Sequence, residues 1–129
     1  MPHIQIDYSA NLDGLIDIAA FCEHMRAAAV EIDAFPLPGV RVRAIRVDHY
    51  AIADGNPDHA FLDMSVRLRG GRPAEVKQAA VQRLFEAARA FLAPVMAEHS
   101  LALSMEMRDI DPDLSPKTGT IRDHLETKS

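Results

Sequence analysis

Apolar and polar residues alternate from the third position onward: Ile4, Ile6 and Tyr8 fall between His3, Gln5 and Asp7. A period of two puts one set on each side of an extended chain, so a half-buried strand is predicted almost at the terminus. After Ser9 to Asn11 the period changes. Leu12, Leu15, Ala19, Cys22, Met25, Ala29 and Ile32 recur at spacings of three and four. That is the stripe of an amphipathic helix reaching about Asp33, with Asn11 as its expected N-cap. Phe35-Pro-Leu-Pro-Gly39 stops it. A second strand is predicted over Val40–Ile52, with a bulge or bend near Ala44 because the apolar phase shifts there.

Asp54-Gly55-Asn56-Pro57 is a turn by composition. A third strand follows from Ala60 to Arg69, with Leu62, Met64, Val66 and Leu68 on one face. Gly70-Gly71-Arg72-Pro73 leads into a long helix marked by Val76, Ala80, Leu84, Ala87, Phe91 and Val95. Pro73 suits its first position, and Pro94 should kink it or end its regular part. Leu101, Leu103, Met105 and Met107 alternate as a fourth strand, and the tail from Asp109 reads as a loose arm or a short last helix.

The resulting order, β-α-β-β-α-β, predicts an α+β domain of two β-α-β units forming a four-stranded mixed sheet. Right-handed crossovers put both helices on one face. One domain is expected over residues 1–129, with a pseudo-repeat of about 1–55 and 56–112 and a C-terminal arm from 113 to 129. The second face of the sheet carries Arg, Asp and Ser beside Phe61 and Ile45, the mixture of a wet or subunit-facing surface.

Charge narrows the function. With 19 acids against 14 bases the formal charge is −5, which argues against non-specific nucleic-acid binding. No apolar run approaches the length of a membrane span, and a cytoplasmic location is the expectation. Cys22, the single cysteine, sits in the helical stripe and reads as packing rather than as a nucleophile. The six histidines lack metal-ligand spacing, and Asp48-His49 and Asp58-His59 read as solvated polar pairs.

Two arginine-bearing turns offer more. Gly39-Val40-Arg41-Val42-Arg43 opens the second strand, and Gly70-Gly71-Arg72 precedes the second helix. Glycine lets backbone approach a ligand closely, and a guanidinium matches a carboxylate bidentately. Arg43, Arg46, Arg67 and Arg69 read as the solvent half of alternating strands. Arg72 lies outside the alternation and is the candidate anion ligand. Methionine is trimmed before a small second residue, so Pro2 is expected to begin the mature chain with a free secondary amine. With no metal set and no cysteine nucleophile, that amine is the general base left to consider. The dipeptide alone does not separate a base from a small residue left by the start codon.

Five ordered segments bear on that choice: Met1-Pro-His; Phe35-Pro-Leu-Pro-Gly-Val-Arg-Val-Arg43; Ala53-Asp-Gly55 with Asp58 and Ala60-Phe61; Gly71-Arg72; and Leu101-Ala-Leu-Ser104 with Glu106. Together they resemble the 5-carboxymethyl-2-hydroxymuconate isomerases of the tautomerase superfamily with an amino-terminal proline. The likeness runs from residue 1 to about 112. Leu114-Ser-Pro-Lys-Thr-Gly-Thr-Ile departs from it by lacking an aromatic and asparagine pair. The resemblance implies a homotrimer, no cofactor, and active sites near subunit boundaries. It implies Pro2 as the base, Arg41 and Arg72 as carboxylate ligands, and a di- or tricarboxylate substrate. The reaction would be a 1,3-allylic keto–enol shift in homoprotocatechuate breakdown. Two other readings share the element string. One is a ferredoxin-like small-acid-binding or oligomerisation module with an inert Pro2. The other is a tautomerase-like enzyme catalysing decarboxylation or hydration.

Overall fold

The computed structural model describes residues 2–125. Strand β1 (His3–Ser9) pairs in parallel with β2 (Arg41–Val47) on one side and antiparallel with β3 (Ala60–Arg69) on the other. Strand β4 (Leu101–Ile110) runs parallel to β3, giving the order β2-β1-β3-β4. Helix α1 (Ile18–Val30) connects the first parallel pair and α2 (Ala74–Met96) the second. Each parallel pair needs a crossover, and each has one.

The alternation read along the chain sets the faces. Ile4, Ile6 and Tyr8 with Leu62, Met64, Val66 and Leu68 form the buried face. Phe21, Met25, Ala28 and Ala29 of α1 and Ala80, Leu84, Ala88 and Leu92 of α2 close over it in one core cluster. Both helices therefore lie on one face, as expected. Alanines on their facing sides let the helices approach, and Phe21 meets Phe91 edge-on with ring centroids 5.2 Å apart.

Three expectations are corrected. Helix α1 begins at Ile18, capped by the Asp17 carboxylate, which accepts from the Ala20 N–H at 3.1 Å. Asn11 is not its cap. Residues Ala10–Gly14 form a 3-10 turn, and the Asn11 side chain donates to the His59 carbonyl at 2.8 Å while accepting from Ser9 Oγ at 2.6 Å. Strand β2 ends at Val47 and has no bulge, for its register with β1 runs one-to-one from His3↔Arg41 to Ser9↔Val47. The apparent phase shift is Ile45, an apolar side chain 47% exposed on the second face. Finally, Pro73 is the residue before α2 rather than its first, and Pro94 falls in the last turn, where the helix is about to end anyway.

Candidate active site

Strand pairing sorts the second face into rows across the sheet. His3 of β1 stands beside Arg41 of β2 and opposite Arg67 of β3, and Arg67 stands beside Arg108 of β4. The next row is Arg43, Gln5, Ser65 and Glu106, and the one after holds Ile45, Asp7, Asp63 and Ser104. Cationic groups are thus concentrated in the row next to the amino terminus, and Asp7 and Asp63 lie two rows away.

Pro2 directly precedes His3 in this row. Its side chain is fully buried, and its carbonyl accepts from the Arg41 N–H at 3.1 Å, extending the β1–β2 ladder by one rung. The backbone of the candidate base and that of the candidate arginine are therefore bonded directly. The Arg41 guanidinium, exposed, reaches His3 Nε2 at 3.5 Å, the outer limit of a hydrogen bond. His3 Nδ1 is buried without a partner among the described residues. Burial first, then Arg67, Arg41 and Arg43, push the His3 imidazole below its ordinary value of 6.5.

Above the row is a groove of about 690 Å³, a size typical of small-molecule sites. His3, Arg41 and Arg67 form its floor, and Pro36, Pro38 and Gly39 form one wall. The C-terminal arm supplies the roof through Ser115–Gly119, Ile121 and Arg122. A turn at Asp111–Ser115 folds the arm back: the Asp113 N–H donates to Asp111 Oδ1 at 2.9 Å, and Ser115 Oγ donates to the Asp111 carbonyl at 2.5 Å. The lining brings Arg41, Arg67, Lys117 and Arg122 together without an acidic side chain, and none of the four makes an ion pair among the described residues.

Arg72 is elsewhere. Its Nε donates to the Ala34 carbonyl at 3.1 Å and its Nη1 to the Arg69 carbonyl at 2.9 Å, so it ties the Gly70–Pro73 turn to the segment after α1. It does not line the groove of its own chain.

The model of one protein family matches residues 2–125, and its description is 5-carboxymethyl-2-hydroxymuconate isomerase. The chain belongs to that family. The 5-carboxymethyl-2-hydroxymuconate Delta-isomerase of Escherichia coli is 31% identical over 121 residues, 94% of this chain and 96% of that one. A crystal structure of a 5-carboxymethyl-2-hydroxymuconate delta-isomerase superposes with a TM-score of 0.90 at 30% identity, covering 100% of this chain and 95% of the other. The 5-carboxymethyl-2-hydroxymuconate isomerase from Deinococcus radiodurans R1 gives 0.89 at 28%, covering 98% and 95%. A more distant structure, a "W0 fused 4-OT wild type symmetric trimer", shares the fold alone, at 18% identity and a TM-score of 0.64 over 90% of this chain and 93% of that one. The α+β fold read from the sequence, a four-stranded mixed sheet with two helices on one face, is the fold of this isomerase-family chain.

Other candidates resolve more simply. Cys22 is half-buried and packs against the core, and burial raises its thiol pKa, which keeps it protonated and unreactive. Arg46 is engaged by Asp13 and Asp48, and Arg43 by Gln5, in line with their reading as strand surface. Arg67 departs from that reading because it lies in the groove. His59 is not a freely solvated residue either. Its ring spans Asp54 Oδ1 at 2.8 Å and Ser100 Oγ at 2.6 Å, clipping the 54–59 loop to the start of β4. Among the described residues no group of three His, Cys, Asp or Glu side chains could hold a metal ion. Among the same described residues no helix is long and apolar enough to cross a membrane.

Proposed function

We propose that this chain, once Met1 is removed, ketonises a 2-hydroxymuconate-type dienol, 5-carboxymethyl-2-hydroxymuconate, with Pro2 as general base. Pro2 nitrogen takes the hydroxyl proton of the dienol. The O–H electron pair becomes the carbonyl π bond, the double bond shifts along the chain, and the distal carbon receives a proton from the Pro2 ammonium. The net change is an isomerisation that needs no co-reactant. The observation that carries this reading is the buried Pro2 bonded through its carbonyl to the backbone of Arg41, whose side chain lines a groove rich in cations.

A free α-amine titrates near roughly 7.7–8.0, and a base must be unprotonated at working pH. Burial and nearby positive charge both disfavour the ammonium, which supports a neutral Pro2. Arg41 would hold a carboxylate and stabilise the enolate-like charge that develops during transfer. Arg72 would act as a second carboxylate clamp. Two of its five N–H donors are committed to the Ala34 and Arg69 carbonyls, which leaves three for a ligand.

Since Arg72 does not line its own chain's groove, a site using both arginines draws them from two subunits. That agrees with a homotrimer whose sites lie at subunit boundaries. The reading is tested by offering the dienol to protein of verified intact mass and following ketone formation. Turnover by chain lacking Met1, and its loss when one residue precedes Pro2, is the expected pair of results. No ketonisation by the trimmed protein would leave a small-acid-binding module instead.

A further inference from the structure

The groove holds more positive charge than one substrate carboxylate needs. Arg41 and Arg67 come from the sheet, and Lys117 and Arg122 from the arm, with His3 lining the same groove. Like charges gathered without acidic partners repel one another, an arrangement that an anion relieves. Pro36, Pro38, Ile110 and Pro116 line the same groove with apolar surface, which suits a short carbon chain with charges at its ends.

We infer that Arg67, Lys117 and Arg122 form a separate carboxylate subsite, through which the C-terminal arm selects tricarboxylates over dicarboxylates. The inference rests on the proposed isomerase reading and extends it, since neither Arg41 nor Arg72 supplies this contact. Arg67 holds the inner oxygen from a rigid central strand. Lys117 and Arg122 lie on the arm beyond the turn at Asp111–Ser115, so the arm's position decides whether the subsite is closed. A substrate lacking the third carboxylate leaves these cations unsatisfied, and the arm gains nothing by closing over it.

The test is calorimetric titration of the full chain with two unreactive probes, propane-1,2,3-tricarboxylate and glutarate. Wild type should bind the tricarboxylate at least about tenfold more tightly, the worth of one charge-assisted contact. Lys117→Gln with Arg122→Gln should abolish that preference and leave glutarate affinity within about threefold. Both positions are exposed on the arm, so a native circular dichroism spectrum is expected. Arg67→Gln should weaken the tricarboxylate similarly, and Arg67→Lys should restore part of the loss because it keeps the charge without the fork.

With the natural dienol, the arm variant should lose kcat/KM mainly through KM. A preference that survives the double substitution, or no tricarboxylate preference in wild type, overturns the subsite. If the preference is present and arm-dependent but no ketonisation occurs, the subsite stands and the isomerase reading falls.

Discussion

His3 and Arg67 face each other as paired residues across the antiparallel β1–β3 ladder, and both floor the same groove. The arginine helps hold the imidazole below its ordinary value of 6.5, behind burial as the larger cause. A group with a depressed folded-state pKa binds more protons when unfolded, so stability should fall as pH drops through 6.5 toward the folded value. His3→Gln should flatten this limb of a melting-temperature profile between about pH 7 and 5. In Arg67→Gln, the His3 ring followed by NMR should titrate at higher pH than in wild type. An unchanged ring titration would remove Arg67 from its surroundings.

Pro2 supplies the next expectation. Native protein should weigh less than the encoded chain by one methionine, and one residue placed before Pro2 should abolish ketonisation while leaving the circular dichroism spectrum intact. Pro2→Ala should be milder, because a primary amine still accepts a proton. Full activity in protein retaining methionine would exclude the proposed base.

Arg41 and Arg72 should separate on two axes. Arg41→Gln should chiefly lower kcat, and Arg72→Gln should chiefly raise KM, since only contacts stronger in the transition state speed the chemistry. Arg72→Gln should also cost about 1–3 kcal/mol of stability, because its guanidinium donates to two backbone carbonyls. The side chain of Arg41 has only the long contact to His3 and should cost little. Steady-state kinetics beside urea unfolding would show both differences. Wild-type rates in both variants would take the arginines out of the mechanism.

Much of the sheet was readable because alternation is local: Ile4, Ile6 and Tyr8 point inward wherever their strand is placed. What joins residues far apart in sequence was not. Arg67 looks like any strand-surface arginine until the register sets it against His3, 64 positions earlier in the chain. Arg72 looks free until folding brings the Ala34 carbonyl to it. Lys117 and Arg122 lie in a segment without periodicity, and their place depends on a fold-back turn. Asn11 had the chemistry of a cap, but its Oδ1, the atom a cap would use, accepts from the Ser9 hydroxyl instead, and its Nδ2 donates to the His59 carbonyl. Pro2 and Arg41 came from resemblance alone, and the structure adds that their backbones are hydrogen-bonded.

A buried polar contact gives a stability prediction independent of function. Ser9 Oγ, fully buried, accepts from the Phe61 N–H at 2.9 Å and holds the 3-10 turn against β3. Ser9→Ala strands that amide and should cost about 1–3 kcal/mol. Urea unfolding would measure it, and a loss below a few tenths would mean that the amide finds another acceptor.

Assembly is the remaining expectation. A closed homotrimer would cover the part of the mixed second face around Ile45, which is 47% exposed in the isolated chain, and leave the groove over the His3 row open at the subunit boundary. Sedimentation at micromolar concentration should give three chains per particle. A stable monomer would remove any site shared across subunits.

Both ends of the described chain are tied to one site: Pro2 is bonded to Arg41, and Arg41 lines the groove together with Ser115 to Arg122 of the arm. Neither end is therefore a neutral point of attachment. A purification handle ahead of Pro2 would occupy the nitrogen proposed as base, and a bulky fusion after the arm would load the roof of the groove. Fluorophores and surface tethers belong on the far side of the molecule. Glu98, exposed in the turn between α2 and β4, offers such a position, and a probe placed there could report on the arm without touching it.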